Sequence, residues 1–221
     1  MSSPGVPSLR GCAWLAVVCV GSGLWYQAPD FPLVDELPLV GQDGCARPET
    51  SVVACVLDGD TLDAGECGQD VGKRIRLLGV DAPEIEHAPD PAECWGNEAF
   101  EYLSELVSGH DVLLSYDQDP HCVDTYDRTL GYVWLLGDDA TESADASGVS
   151  DLVRDDLAFT EDGPWLMVNE VLLATGQAPF YDAAEELGQS EPILWDTDLR
   201  GAAATAQLRG LGVWSACAES R

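Results

Sequence analysis

VLDGDTL (Val56–Leu62) sets Asp58 and Asp60 on either side of Gly59, directly after an apolar run, and KRIRLLGVDAPE (Lys73–Glu84) follows with three cations, an apolar stretch, then Asp81 and Glu84. Taken alone, Asp-Gly-Asp-Thr is turn chemistry, because glycine and aspartate tolerate tight reversals. The segments around it read as strands. SVVACVL (Ser51–Leu57) is β-branched, and RIRLLGV (Arg74–Val80) alternates before becoming wholly apolar. Gly65, Gly68 and Gly72 punctuate the turns around a short middle strand. Asp60 and Asp81 therefore fall at the ends of two strands that a folded sheet can bring together. The same stretch gathers three of the chain's ten basic residues, Lys73, Arg74 and Arg76, between two acidic groups.

Working outward, NEAFEYLSELV (Asn97–Val107) places Ala99, Phe100, Leu103, Leu106 and Val107 on one helical face, and Gly109 stops it. DVLLSY (Asp111–Tyr116) and TLGYVWLL (Thr129–Leu136) are two further strands. MVNEVLLATGQA is a short helix ended by Gly176, and TDLRGAAATAQLRGLG is an Ala-rich helix with Gly201 as a weak point. Between these lies a segment, 137–163, with nine acids and one arginine, which reads as a solvated surface insertion. Its acids lack the spacing of a calcium-binding loop. Three strands, a helix, two strands and two more helices add up to a small β-barrel capped by helices.

The 221 residues suit one domain with additions, and 46% hydrophobic content is enough for a core. Lys and Arg number 10 against 40 Asp and Glu, a formal net charge of −30. Such a chain repels nucleic acid and anionic membranes at long range, so any anion-handling function must come from a local site. At the N-terminus Arg10 precedes the apolar stretch Cys12–Val20 and the small residues Gly21–Gly23, the pattern of an export signal. The expected organisation is 1–24 signal peptide or anchor, 25–48 linker and 49–218 folded domain. Six cysteines lie beyond the signal: Cys45, Cys55, Cys67, Cys94, Cys122 and Cys217. None forms a CxxC pair, and an even number in an exported chain points to disulfides. His87, His110 and His121 are scattered and suggest no metal cluster.

DGDT, RLLGVDAPE, DTYDRTLGYV (Asp124–Val133), VNE (Val168–Glu170) and GVWS (Gly212–Ser215) resemble, in order and approximate spacing, the blocks of the staphylococcal nuclease family. The resemblance implies an α+β fold, an OB-type five-stranded β-barrel with about three helices, carrying the acidic surface insertion as an addition. It also implies an endonuclease that hydrolyses phosphodiester bonds of DNA and RNA with little sequence specificity and leaves 3′-phosphate ends. In that reading Asp60, Asp81 and the backbone carbonyl of Ala82 hold Ca²⁺, with Asp58 adding negative potential behind them. Arg76 and Arg128 grip the phosphate as bidentate donors, and Glu84 deprotonates or orients water. Tyr126 stacks on a base or sugar, and Lys73 adds local positive charge along its strand with Arg74. Ala82 departs from the threonine often found in the family there. PFYD departs from its later tyrosines, leaving Phe180 and Tyr181 as the candidates.

That fold suggests the cysteine pairings Cys55–Cys67 across the first hairpin, Cys45–Cys217 between the chain ends, and Cys94–Cys122 near the site. A monomer, secreted or held in the cell envelope, with DNA and RNA as substrate, completes the expectation. Membrane association follows only if the N-terminal segment is retained or lipidated. The competing class is a catalytically silent barrel that binds nucleic acid or protein. Such modules lack the site carboxylates or arginines, all of which this chain has.

Overall fold

One long strand organises the domain. β1 (Glu49–Asp58) pairs through its first half with β4 (Asp111–Ser115) and through its second half with β2 (Thr61–Ala64), both antiparallel. Two breaks in register, at Val53/Cys55 and Val56/Asp58, bend it between these partners. In this computed structural model, residues 47–68, 72–87, 89–117, 122–154, 164–182 and 192–217 are described. The expected signal (1–24), all but the last two residues of the expected linker, Cys45, His121 and the end of the expected acidic insertion (155–163) lie outside them.

β2 continues antiparallel into β3 (Lys73–Leu77), with Thr61 opposite Arg76 and Asp63 opposite Arg74. β4 pairs antiparallel with β5 (Thr129–Leu136), and β3 closes the circuit by running parallel to β5 from Ile75/Thr129 to Leu77/Gly131. The five strands thus form a closed mixed barrel, the OB-type arrangement expected, and a short sixth, β6 (Trp165–Met167), adds to β5. Closure removes the exposed edges that an open sheet of this size would leave. Leu62, Ile75, Leu77, Leu114, Val133 and Leu135 fill the interior, each with essentially no solvent contact.

Helix α1 (Gly96–Val107) lays Ala99, Leu103, Leu106 and Val107 against the barrel, the face that its 3.6-residue periodicity foretells. α3 (Val168–Ala174) is buried almost throughout, and its Asn169 is the polar pin. That amide donates to the carbonyls of Leu78 and Gly131 and accepts from the Val133 N–H, joining the exit of β3 to β5. α4 (Asp196–Arg209) passes unbroken through Gly201, and a last turn, α5 (Val213–Ala216), follows it. Among the described residues no helix is long and apolar enough to cross a membrane.

The acidic segment after β5 differs from the expectation. Its first part is a helix, α2 (Gly137–Ser147), followed by a turn of 3₁₀ helix at Ser150–Leu152. Ala140 and Ala144, four apart, are both fully buried, while acids occupy the other faces. Gly148 ends the helix with φ 69°, a conformation glycine adopts without strain. The helix therefore docks on the domain through two methyl groups and gives its charge to solvent.

The cysteines follow the expectation once and depart from it once. Cys55 and Cys67 are bonded across the β1–β2 region. Cys94, however, bonds Cys217, so the pairings Cys45–Cys217 and Cys94–Cys122 do not form. The C-terminal turn comes back to the entrance of α1, which brings Cys217 rather than the β4–β5 connection beside Cys94. Cys122 is disulfide-bonded as well.

Candidate active site

The β1–β2 reversal sits where three segments meet. A Cβ added at Gly59 would lie 2.6 Å from the Ala82 Cβ and 2.8 Å from the Ala99 Cβ, so only glycine lets the hairpin close onto the loop after β3 and onto α1. Gly96, the first residue of α1, approaches the Glu84 carbonyl just as closely. These two contacts fix the DGDT turn and the DAPE loop against one helix start.

Asp60 is consequently buried, with 6% exposure, and its side-chain oxygens are held by neighbouring site residues. Its Oδ2 accepts from the Ala82 N–H at 2.8 Å and pairs with the Arg76 Nη1 at 2.6 Å. Its Oδ1 accepts from the Thr61 hydroxyl at 3.0 Å, and its own N–H donates to Asp58 Oδ1 at 3.1 Å. Burial pushes the Asp60 carboxyl up to about 7; the Arg76 charge opposes this and the Asp58 charge adds to it. A desolvated carboxylate of this kind gains from any further cation placed beside it.

Arg76 is the hub. Besides Asp60 it donates to the Val80 carbonyl at 2.5 Å and to Asp81 Oδ1 at 3.2 Å. Its guanidinium lies 5.8 Å from the centre of the Tyr181 ring. That ring arrives because 179–181 runs beside 79–81: the Asp81 N–H donates to the Pro179 carbonyl, the Tyr181 N–H to the Gly79 carbonyl, and Val80 bridges Phe180. Arg128 enters from the start of β5. Its Nε donates to Asp124 Oδ2 at 2.6 Å, its Nη1 reaches the Thr61 hydroxyl at 3.5 Å, and its guanidinium faces the Tyr126 ring at 5.3 Å.

The structure thus joins Arg128, Thr61, Asp60, Arg76 and Asp81 by direct contacts, with Asp58 and Ala82 attached through Asp60. Tyr126, 75% exposed, lies at the rim on Arg128. Glu84 stands on the same loop, but its side chain is 64% exposed and lies 3.7 Å from His87, while its backbone bonds Glu93. It therefore faces solvent beside the cluster. Lys73 is not brought to the group: three residues from Arg76 along β3, it pairs with Glu49 and donates to the Tyr116 hydroxyl. Arg74 does not supply free positive potential either. Its Nε and Nη2 bond both oxygens of the fully buried Asp63, at 2.9 and 3.0 Å.

One participant, Asp124, escapes the sequence reading, and a second, Tyr181, stands there only as a candidate without a placement. Asp124 opens the DTYDR block and ties Arg128, a role signalled only by its spacing of four. Tyr181 reaches Arg76 through a pairing between segments a hundred residues apart, for which the local sequence carries no signal.

The donor set fits a hard divalent cation. Asp60 and Asp81 offer carboxylate oxygens on one guanidinium's span, and the Val80 carbonyl is held by the same guanidinium, an all-oxygen set of the chemistry preferred by Ca²⁺ or Mg²⁺. Among the described residues, three ligand-type side chains crowd within a single ion's reach only at Cys55, Asp63 and Cys67. There the two sulfurs are bonded to each other and offer no thiolate.

Comparison with known proteins agrees with this geometry. The family model described as staphylococcal nuclease homologue matches residues 74–216, more than half of the chain. Thermonuclease of Staphylococcus intermedius is 41% identical over 89 residues, which is 40% of this chain and 51% of that protein. Thermonuclease of Staphylococcus hyicus is 36% identical over 90 residues, 41% of this chain and 51% of that protein. The probable endonuclease LCL3 of Pyricularia oryzae is 30% identical over 149 residues, 64% of this chain and 43% of that protein. The chain therefore spans about half the length of the curated relatives it matches. With the closed barrel, the clustered carboxylates and arginines and the matched segment together, the chain belongs to the staphylococcal nuclease homologue family.

Proposed function

We propose that the chain is a nuclease, a Ca²⁺-dependent endonuclease that hydrolyses phosphodiester bonds of DNA and RNA with little sequence preference and leaves 3′-phosphate ends. One observation carries this reading: two guanidinium groups and two carboxylates stand in a single string of contacts at the mouth of the barrel. Phosphodiester hydrolysis needs cationic donors where charge grows on the phosphoryl oxygens, and it needs a group to orient or deprotonate water. Arg76 and Arg128 answer the first need, because a guanidinium presents a charged fork at any working pH. Glu84 answers the second, with a carboxylate open to solvent at the edge of the cluster. Asp60, Asp81 and the Ala82 carbonyl would hold the cation, which when bound supplies further positive charge opposite the reacting phosphate.

Tyr126 supports the lack of sequence preference. An exposed ring on Arg128 offers a stacking surface that any base satisfies. Export is supported by the N-terminal Arg10–Gly23 pattern and by disulfides such as Cys55–Cys67 and Cys94–Cys217, which persist in oxidising compartments. A formal charge of −30 makes long-range capture of substrate weak. An enzyme tolerates this because only stabilisation of the transition state sets the chemical step.

The test is direct. The purified mature chain is incubated with single-stranded DNA and with RNA, in Ca²⁺ and in excess chelator, and product ends are examined. Cleavage in Ca²⁺ alone, with ends that a polymerase extends only after phosphatase treatment, is expected. Complete digestion in chelator would refute the metal assignment, and no digestion in either would refute the nuclease.

A further inference from the structure

We propose that Asp124 is the positioning residue that aims Arg128 into the site, on the reading that Arg128 grips the substrate phosphate. The carboxylate works in two directions at once. Oδ2 takes the Arg128 Nε at 2.6 Å, while Oδ1 takes the backbone N–H of Arg128 at 2.9 Å and that of Tyr126 at 2.8 Å. The main chain closes the same loop: the Asp124 N–H donates to the Arg128 carbonyl, and the Asp127 N–H donates to the Asp124 carbonyl. Asp127 takes a left-handed conformation, φ 64°, to complete the reversal. One carboxylate thus fixes the five-residue loop and the guanidinium that projects from it.

The choice of atom matters for chemistry. Asp124 binds Arg128 through Nε and leaves Nη1 pointing to the Thr61 hydroxyl, 3.5 Å away and bonded in turn to Asp60. The outer nitrogens therefore stay available on the side where Asp60 and Arg76 stand. The Asp124 side chain is 13% exposed against 26% for Arg128, so the anchor lies deeper than the group it holds. Tyr126, whose ring stacks on the guanidinium, has its amide held by the same oxygen that holds Arg128's. Clamp and stacking platform are thereby set by one side chain. Although burial pushes the Asp124 carboxyl up, the hydrogen bonds from Arg128 and Tyr126 outweigh it and keep the group ionised.

Holding a donor in place is worth much when the transition state is selective, and a misplacement of about 1 Å costs on the order of 10²-fold in rate. Asp124→Asn keeps an oxygen acceptor for the two backbone N–H groups and removes the charge that holds Nε. Cleavage of a single-stranded oligonucleotide in Ca²⁺ is measured for the wild type, Asp124→Asn, Arg128→Ala and the double variant, with thermal unfolding of each. Asp124→Asn is expected to lower kcat by roughly 10- to 100-fold in the wild-type background. In the Arg128→Ala background it should change kcat by no more than about twofold, since the two residues act as one unit. Equal losses in both backgrounds, or no loss in either, overturn the proposal. The ¹⁵N resonance of the Arg128 Nε–H gives a readout independent of turnover: it shifts and exchanges faster in Asp124→Asn if the carboxylate holds it, and an unchanged resonance overturns the placement. A wild-type chain that leaves the oligonucleotide uncut defeats the nuclease reading and the catalytic part of this one, while the resonance still decides whether Asp124 holds the guanidinium.

Discussion

Replacing Arg74 by alanine isolates the energetic role of a cation that stands two residues from the hub of the site. Asp63 is fully buried, and three donors reach its carboxylate: Arg74 Nε at 2.9 Å, Arg74 Nη2 at 3.0 Å and the Gly68 N–H at 2.8 Å. Arg74→Ala removes two of the three and the only neutralising charge among them, leaving a carboxylate ionised in the interior. Breaking one side of such a buried pair costs about 3–5 kcal/mol. For a domain of this size each kcal/mol lowers Tm by roughly 2–4 °C, so a fall of roughly 6–20 °C is expected at pH 7. The pH dependence gives the mechanism a signature. The Arg74 hydrogen bonds hold the Asp63 carboxyl below its ordinary range in the wild type. A depressed carboxylate contributes stability that is present above its unfolded pKa and is lost as pH falls through the folded one. In the variant the same carboxyl loses its cation and rises by burial, so protonation relieves it as pH falls. The deficit must therefore shrink between neutral pH and the carboxylate range. Differential scanning calorimetry at pH 7 and near pH 4.5 reads this directly. A loss below about 1 kcal/mol at pH 7, or a loss independent of pH, would refute the reasoning.

Two further outcomes concern the site. Arg128→Ala should lower turnover by roughly 10²–10³-fold, the cost of one donor to developing phosphoryl charge, while thermal unfolding stays near wild type because the side chain is at the surface of the cluster. Asp127→Gly should be neutral or raise stability by up to about 1 kcal/mol, whereas Asp127→Val should lower it by about 1–2 kcal/mol, because φ 64° suits glycine and opposes a β-branched residue. Thermal unfolding of the pair checks the sign.

Much of the barrel was legible because the local and long-range signals agree. Thr129–Leu136 and Asp111–Ser115 are strands both by β-branched pattern and by pairing, and the face of α1 is fixed by its own periodicity. DGDT and the DAPE loop could be joined at sight because glycine, aspartate and proline leave few turns open. The failures have equally physical sources. Gly137–Ser147 reads as solvated chain because its acids hide the one apolar pair, Ala140 and Ala144, and the Gly148 stop. Cys217 could not be placed, since its partner depends on how α4 returns the chain to Cys94. Arg74 and Lys73 looked like allies of Arg76 because charge reads from composition, whereas Asp63 and Glu49, from other strands, claim them. Tyr181 is a stacking candidate by order alone; its place beside Arg76 rests on strand-like pairing with 79–81.

On the function proposed above, Asp60 and Asp81 hold one cation together beside the two arginines. Calorimetric titration of Ca²⁺ into the wild type, Asp60→Asn and Asp81→Asn, in enough salt to screen the acidic surface, decides this. One site per chain in the wild type, lost or strongly weakened in both variants, is the expected result. Ca²⁺ bound equally by all three proteins would contradict it.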